Sequence, residues 1–136
     1  MLPKILVDSS VILDVFTGDF TWCLYSQKTL DEYSLNHKLC INPIVYTEIS
    51  TSFTSIEELE IAIKNCSLSI IEIPKEALFL AGKIFLKYKQ NEGQKTSTLS
   101  DFFIGSHAIV LDVPLITRDK KIKSYFPKLK LIVPKK

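Results

Sequence analysis

The feature of this sequence that most limits its possible folds is an alternation of short apolar runs with longer segments of helical periodicity. Residues 5–7, 39–41 and 115–117 read ILV, LCI and LIT. Short runs that are apolar at nearly every position and rich in branched residues are typical of strands that a parallel sheet buries on both faces. Because helical segments separate these runs, we predict an α/β sandwich with a mainly parallel central sheet of about four or five strands.

Capping and turn residues place the helices between these strands. The signals are Ser9 or Ser10 before the first helix, Gly18 after it, Asn42 with Pro43 before a later helix, the capping box of Ser55 and Glu58, Gly93 at a helix end and Ser100 before the last long helix. Further helices are predicted near residues 20–36 and 77–88, and further strands over 68–73 and 129–133, the last at a sheet edge. Residues 102–111 are apolar nearly all round, which predicts a buried helix.

Composition places the chain among ordinary globular proteins. Its 136 residues are 46% apolar and 24% charged, which suits one domain over residues 1–136. The formal net charge is only +2, but residues 120–136 carry seven lysines and no acid. A basic tail is more often solvated than bound to nucleic acid, so this tail alone decides nothing. Because no apolar run has the length of a signal peptide or a membrane span, we expect a cytoplasmic protein that contacts no membrane.

The cysteines and the histidine of the apolar helix have structural explanations. Cys23, Cys40 and Cys66 lie far apart without a Cys-x-x-Cys pair, so we expect reduced thiols rather than a zinc or redox motif. His107 falls within the predicted buried helix, where a hydrogen-bonded core histidine is favoured over a catalytic one. Neither residue type therefore marks a functional site.

Four acidic residues lie where burial is expected. Asp8 follows the first strand directly, and Glu48 lies among apolar residues of a predicted helix. Asp101 begins the most apolar helix, and Asp119 closely follows the strand at 115–117. Burying a lone carboxylate is costly, so such a group usually has a partner or a metal ion. Two of these acids follow the carboxyl ends of predicted strands, which form the edge of a parallel sheet where sites are found.

A cluster of carboxylates without matching histidines or cysteines predicts a hard oxygen site. Such a site suits Mg²⁺ or Mn²⁺ and suits zinc poorly. Like charges this close raise one another's pKa unless a cation offsets them. For single residues a second interpretation stays open: Asp8 can cap a helix, Asp101 can favour a helix N-terminus and Asp119 can end a turn. The position of all four acids beside apolar runs favours the metal site.

Taken in chain order, four segments resemble the PIN-domain nucleases, and most closely the VapC-type toxins of bacterial toxin–antitoxin pairs. They are ILVDSSVILDVFTGD, INPIVYTEIS, STLSDFFIGSHAIVLDVPLITRD and KSYFPKLKLI. The resemblance covers residues 5–133 and is most specific between residues 101 and 119. It implies a PIN-like α/β/α sandwich whose metal-holding and catalytic acids are Asp8, Glu48, Asp101 and Asp119. It also implies that the hydroxyl residues Ser10 and Thr117 support the metal site.

The function that this resemblance implies is a Mg²⁺-dependent endoribonuclease, with Mn²⁺ possible, that acts as a toxin on translation or growth. Its expected partners are RNA, a cognate antitoxin and a second copy in a homodimer. Two alternatives stay open: a PIN nuclease of RNA maturation or decay, and a non-catalytic RNA-binding module. Intact acids argue against the module because clustered negative charges repel RNA, and the short single domain favours the toxin over the maturation enzyme.

Several basic and aromatic residues are weaker candidates for RNA contact. Lys83 and Lys87 could line a phosphate track, although a solvated helix face explains them equally well. Arg118 either reaches a phosphate or pairs with an acid. Trp22 and Tyr25 either stack on a base or pack in the core or in an interface.

Overall fold

The computed structural model describes residues 1–91 and 97–136, and within them the chain forms a sheet of five parallel strands. The strands are β1 (Lys4–Val7), β2 (Lys38–Ile41), β3 (Ser69–Ile70), β4 (Leu115–Ile116) and β5 (Leu131–Ile132). Their order across the sheet is β3-β2-β1-β4-β5. The predicted α/β fold with a parallel sheet is therefore confirmed. Gly93, the predicted end of one helix, lies outside the described residues.

Helices connect the strands, as parallel pairing requires. In the described part of the chain they are α1 (Ser9–Phe16), α2 (Cys23–Ser34), α3 (Pro43–Ser50), α4 (Ile56–Asn65), α5 (Lys75–Gln90), α6 (Leu99–Leu111) and α7 (Ile122–Tyr125). α6 is buried over most of its middle, which confirms the prediction from its sequence. Of the helices in residues 1–91 and 97–136, none is long and apolar enough to cross a membrane.

β1 lies at the centre of the sheet and of the core. Ile5, Leu6 and Val7 are fully buried. Strands pair with both edges of β1, and in the register Leu6 lies opposite Cys40 of β2 and Leu115 of β4. The apolar run was readable from the sequence because a central strand cannot alternate between polar and apolar faces when both faces are covered.

The order of the strands reverses next to β1. The chain passes from β1 through β2 to β3 on one side, and β4 and β5 follow on the other side. Because connections between parallel strands are right-handed, the two halves place their helices on opposite faces of the sheet. A crevice then opens at the carboxyl ends of β1 and β4, which is where open α/β sheets bind ligands. The residues after Val7 and Ile116 border this crevice.

Two strands are shorter than the sequence predicted. Strands were expected over residues 68–73 and 129–133, whereas β3 and β5 have two residues each. Both are edge strands with a neighbour on one side only, so few backbone groups are available to extend the pairing. The position of the last strand at a sheet edge is confirmed.

The beginnings of α1 and α2 also differ from the prediction. Asp8, and not Ser9 or Ser10, caps α1, since its Oδ1 accepts the backbone N–H of Ser9 at 2.9 Å. α2 begins at Cys23 rather than near residue 20. The preceding residues form a turn in which Asp19 Oδ1 accepts two backbone N–H groups, and this local bonding competes with the helix.

Asn42, Ser55 and Gly18 lie at helix ends, as the sequence predicted. Asn42 Oδ1 accepts the backbone N–H of Val45 at 2.9 Å at the start of α3. Ser55 Oγ accepts the backbone N–H of Glu58 at 3.2 Å at the start of α4. Gly18 follows α1 with a φ of 65°, a left-handed conformation that glycine adopts without strain.

Candidate active site

Asp8 lies in the crevice between β1 and β4. Its backbone N–H donates to the carbonyl oxygen of Ile116 at 2.9 Å, which holds it at the end of β4. Thr117 Oγ1 donates to Asp8 Oδ2 at 2.7 Å, and Ser10 Oγ donates to the same oxygen at 3.1 Å. Both hydroxyl residues singled out in the sequence therefore contact Asp8.

Glu48 comes to this site from α3. Ser9 Oγ donates to Glu48 Oε1 at 3.0 Å, and Ser100 Oγ donates to Oε2 at 3.2 Å. Because Ser9 follows Asp8 directly, the first turn of α1 connects the two acids. The contacts of Ser9 and Ser100 with Glu48 were not predicted from the sequence, since these serines lie 39 and 52 positions away in the chain.

Asp101 lies in the first turn of α6. This helix begins at Leu99 with Thr98 as its N-cap, and Asp101 Oδ2 accepts the backbone N–H of Thr98 at 3.0 Å. Ser100, expected before the helix, lies inside its first turn, where it reaches Glu48. Asp101 thus serves the helix N-terminus and also lies close to the other acids.

Asp119 lies in the turn between β4 and α7. Its Oδ1 accepts the backbone N–H of Lys121 at 3.0 Å, and its own N–H donates to Thr117 Oγ1 at 3.1 Å. Since the same hydroxyl donates to Asp8, Thr117 links two of the acids.

We call these four residues the acid cluster, and hydroxyl groups of Ser9, Ser100 and Thr117 connect them. Burial is the main cause that raises the pKa of Asp8, Glu48 and Asp101, and hydrogen bonds offset part of that rise. The charge of Asp119 further raises the pKa of Asp8 and of Asp101. Asp8 has the same effect on Glu48 and on Asp101. The fold therefore brings together all four acids that the sequence singled out.

The donor atoms of the acid cluster suit a hard cation. Carboxylate oxygens are the preferred ligands of Mg²⁺ and are accepted by Mn²⁺, and a cation offsets the repulsion that raises the pKa of these carboxyls. In residues 1–91 and 97–136, however, no three Asp, Glu, His or Cys side chains have the arrangement of a metal site. Oxygens of Asp8 and Glu48 accept hydrogen bonds from amides and hydroxyls instead. An ionised carboxylate has about four acceptor sites, so both side chains can keep these hydrogen bonds and also bind a cation.

A sequence match decides the family of this chain. A family model of the PIN domain matches residues 5–126, which contain all four acids and the first four strands. The chain belongs to the PIN-domain family. Proteins of this family are nucleases, and they generally depend on divalent metal ions.

Several solved structures share the fold of this chain, and one of them is described as a toxin–antitoxin complex. VapBC2 from Rickettsia felis, bound to a DNA fragment from its promoter, has a TM-score of 0.75 and 19% identity and covers 96% of this chain and 98% of that chain. VapBC-1 from nontypeable Haemophilus influenzae has a TM-score of 0.74 and 18% identity, with 98% and 99% covered. A toxin–antitoxin complex from Klebsiella pneumoniae has a TM-score of 0.72 and 19% identity, with 98% and 99% covered. At these identities the likeness shows a shared fold. No curated protein matches the sequence.

Arg118 forms an ion pair beside the acid cluster of this PIN domain, with Asp14, a partner that was not identified from the sequence. Arg118 Nε and Nη2 donate to Asp14 Oδ2 and Oδ1 at 2.7 and 2.8 Å, and Ser26 Oγ also donates to Oδ2 at 2.7 Å. Asp14 is 3% exposed and Arg118 is 30% exposed. Of the two interpretations of Arg118, the pairing with an acid is observed. Asp14 carried the same signal as Glu48, an acid within an apolar helical segment, VILDVF.

The remaining candidates lie elsewhere. Lys83 and Lys87 are exposed on α5, where Lys83 Nζ lies 5.3 Å from the centroid of the Phe79 ring. His107 is fully buried, its Nδ1 lies 3.2 Å from Asn42 Nδ2, and burial lowers its pKa. The prediction of a hydrogen-bonded core histidine is confirmed. The three cysteines are free thiols, as expected.

Proposed function

We propose that this chain is a divalent-metal-dependent endoribonuclease that cleaves RNA phosphodiester bonds and serves as the toxin of a toxin–antitoxin pair. The acid cluster carries the proposal: hydroxyl groups of Ser9, Ser100 and Thr117 connect acids from separate segments of a PIN domain. Structural stability gives no reason for this arrangement, because burial and repulsion both disfavour the ionised carboxyls. The binding of a cation that also contacts a phosphate group explains why these carboxyls lie together.

In this proposal Asp8 and Asp101 hold Mg²⁺, with Mn²⁺ as the alternative, and Glu48 and Asp119 complete the site directly or through water. A cation bound there supplies an acidified water and stabilises charge on the phosphate oxygens. The protein residues determine where this chemistry takes place. Asp8 is fixed between two strands, and Asp101 is fixed by its bond to the first turn of α6.

Hydroxyl groups orient the carboxylates of the site. Thr117 donates to Asp8, while Ser9 and Ser100 donate to the two oxygens of Glu48. A hydrogen bond donated to a carboxylate favours its ionised form and restricts its rotamer. Both effects prepare the acid cluster for a cation, because ligands must be deprotonated and correctly placed.

The proposed partners are RNA as substrate, an antitoxin protein as inhibitor and a second copy of the chain in a homodimer, all in the cytoplasm. One solved structure of this fold is described as a toxin–antitoxin complex, which supports the antitoxin. A PIN nuclease of RNA maturation or decay is the second candidate, because it needs the same acid cluster. A non-catalytic RNA-binding module is disfavoured by the negative charges that it would present to RNA.

The test compares RNA cleavage by the wild-type protein and by variants of the acid cluster. Purified protein freed of any partner is incubated with total cellular RNA and Mg²⁺ or Mn²⁺, with and without EDTA. Asp8→Asn and Asp101→Asn each remove one carboxylate from the cluster. Glu57→Gln, at an exposed position of α4, is the matched control. We expect discrete fragments with the wild type and the control, and none with EDTA or either cluster variant.

Growth measurements separate the two nuclease candidates. Induced expression of the wild type, but not of Asp8→Asn, arrests growth if the protein is a toxin. Cleavage without growth arrest favours RNA maturation or decay. A folded wild-type protein that cleaves no RNA with either metal would contradict the nuclease proposal.

A further inference from the structure

A surface pocket of about 700 Å³ lies next to the acid cluster and has no role in the function proposed above. Four of its eight lining residues are basic, namely Arg118, Lys120, Lys135 and Lys136, and a fifth is Trp22. The other three are apolar residues of β5 and of the segment that follows it. None of the eight lining residues is acidic. The pocket therefore combines positively charged side chains with an aromatic ring.

Two of the basic side chains lie over the ring of Trp22. Arg118 Cζ lies 4.9 Å from the ring centroid, and Lys136 Nζ lies 5.1 Å from it. Both distances are within the range of cation–π attraction, which draws positive charge toward the face of an aromatic ring. The ring therefore lies beside two basic side chains, of which Lys136 supplies net positive charge because Asp14 offsets the charge of Arg118.

Arg118 is held in place and still has donors to offer. Asp14 engages Nε–H and one N–H of Nη2. A guanidinium carries five N–H groups, so about three remain for a ligand. Because Asp14 neutralises the charge of Arg118, the net positive field of the pocket comes from its lysines. Arg118 adds a fixed, directional set of donors of the kind that suits phosphate oxygens.

The pocket is close to the acid cluster along the chain, since two of its lining residues flank Asp119. Thr117 contacts Asp8, whereas Arg118 and Lys120 line the pocket. The Cα atoms of Thr117 and Lys120 are three residues apart, which limits their separation to about 11 Å. A polyanion bound at the acid cluster therefore reaches the pocket without leaving the protein surface.

We propose that this pocket is a subsite for single-stranded RNA that binds the strand beside the cleaved phosphodiester bond. Its lysines and Arg118 contact the phosphates, while Trp22 and the apolar residues contact a base. This inference rests on the proposed function, since it places the pocket on the path of the substrate. Cations interleaved with an aromatic ring are the pattern of single-strand recognition, and an RNA duplex would hide its base faces from Trp22.

Trp22 reports on its own pocket, because it is the only tryptophan of the chain. The probe is a mixed-sequence, fluorescein-labelled single-stranded RNA of about twelve nucleotides. Binding is measured by anisotropy on the non-cleaving Asp101→Asn protein at salt concentrations between about 50 and 200 mM. An unlabelled copy of this RNA is titrated separately while the fluorescence of Trp22 is recorded. We expect both signals to saturate at the same RNA concentration.

A pair of double variants tests the contribution of the lysines. Lys135→Ala with Lys136→Ala removes two charges from the pocket. Lys64→Ala with Lys75→Ala removes two exposed charges that flank β3, at the opposite edge of the sheet. The pocket variant should bind the RNA about tenfold more weakly. The slope of its log binding constant against log salt concentration should be shallower by about 1.4, since each single-strand phosphate contact contributes about 0.7. The control variant should bind the RNA with nearly the same affinity and salt dependence as the parent Asp101→Asn protein.

The outcomes separate the subsite from the nuclease proposal. If the wild type cleaves RNA while Trp22 fluorescence stays constant, or while the two double variants bind alike, the subsite is overturned alone. If RNA binds with the expected Trp22 signal and lysine dependence but is never cleaved, the subsite stands and the nuclease proposal fails. If a co-purified partner protein changes Trp22 fluorescence and the RNA does not, the pocket is a protein-docking site and the proposal is wrong.

Discussion

Thr117 is the residue through which two acids of the cluster meet. Its hydroxyl donates to Asp8 at 2.7 Å and accepts the backbone N–H of Asp119 at 3.1 Å. A hydroxyl has one proton to donate and lone pairs to accept, so both bonds can form at the same time. Because the bond to Asp8 favours the ionised carboxylate, Thr117 opposes the effect of burial on the pKa of Asp8.

Replacing Thr117 by valine should therefore weaken the site without changing its shape. Thr117→Val removes the hydroxyl, raises the pKa of Asp8 further and leaves the backbone N–H of Asp119 without its acceptor. We expect metal affinity and RNA cleavage to fall by about 10- to 100-fold, the usual effect of losing such a supporting bond. A Mg²⁺ titration of the cleavage rate measures this. Thr117→Ser keeps the hydroxyl and should recover most of the activity; equal loss in both variants would contradict this role.

Carboxyls with a raised pKa also make the stability of the metal-free protein depend on pH. In the folded chain Asp8, Glu48 and Asp101 hold protons more readily than in the unfolded chain, where their pKa values are about 4. Since the folded state binds the extra protons, the free energy of unfolding falls as pH rises from about 4 through the folded pKa values, and it stays lower above them.

The melting temperature of the metal-free protein should accordingly contain a component that decreases as pH rises above about 4, the pKa of these groups in the unfolded chain. Asp8→Asn removes one of the responsible groups and should reduce this decrease, whereas the exposed-site control Glu57→Gln should not. Mg²⁺ should stabilise the wild type more at the higher pH, because ligands must be deprotonated. Thermal unfolding followed by circular dichroism measures each curve. Identical pH profiles for Asp8→Asn and the wild type would argue against the raised pKa of Asp8.

At the scale of elements, α6 is held against an aromatic cluster in which no space is left at Gly105. Phe102 of this helix lies within ring contact of Phe85, Tyr88, Tyr125 and Phe126. A Cβ at Gly105 would lie 2.4 Å from Cε2 of Phe126. This close approach sets the position of α6, whose first turn carries Asp101 toward the other acids.

A methyl group at Gly105 should therefore destabilise the protein, although alanine favours helices. Gly105→Ala forces Phe126 to move, and overpacking of this kind costs about 1–3 kcal/mol. Gly82→Ala is the matched control, because Gly82 lies within α5 and its Cβ would meet nothing within 4 Å. That substitution should stabilise the protein by about 0.5–1 kcal/mol. Urea unfolding gives both values, and a stabilised Gly105→Ala protein would show that Phe126 moves freely.

At the scale of the whole molecule, the Asp14–Arg118 pair joins three parts of the fold. Asp14 belongs to α1, Arg118 follows β4 and Ser26 belongs to α2. Asp14 is nearly inaccessible, so its charge depends on these partners. Arg118 also lines the basic pocket and directly precedes Asp119 of the acid cluster, so the pair connects the packing of the domain with both proposed parts of the RNA path.

Removing Arg118 alone should lower the free energy of unfolding more than removing the charges of both Arg118 and Asp14. Arg118→Ala leaves the Asp14 carboxylate buried with only Ser26 as a side-chain donor, and we expect a loss of about 1–3 kcal/mol in the free energy of unfolding. Adding Asp14→Asn to this variant removes the stranded charge and should recover part of that loss. Chemical denaturation of the wild type, both single variants and the double variant gives the coupling energy. Strictly additive effects would show that the pair contributes little.

The parts of the fold and of the site that could be predicted are those with a local sequence pattern, namely an apolar run or an acid beside one. The strand at 5–7 was recognisable because a buried parallel strand must be apolar throughout, and Asp8 stood out because it follows such a strand. The same contrast identified Glu48, Asp101 and Asp119. The lengths of β3 and β5 were overestimated, because an apolar run does not reveal that its strand lies at an edge with one neighbour.

The sequence by itself thus determined the fold class and the central strands, and it predicted the four acids, since all of these depend on the contrast between a residue and its chain neighbours. Only the tertiary structure decided which groups those acids contact. The serines at Glu48 and the guanidinium at Asp14 lie 39 to 104 positions away along the chain. Such contacts follow from the order of the strands, which reverses beside β1 and brings together the ends of β1 and β4.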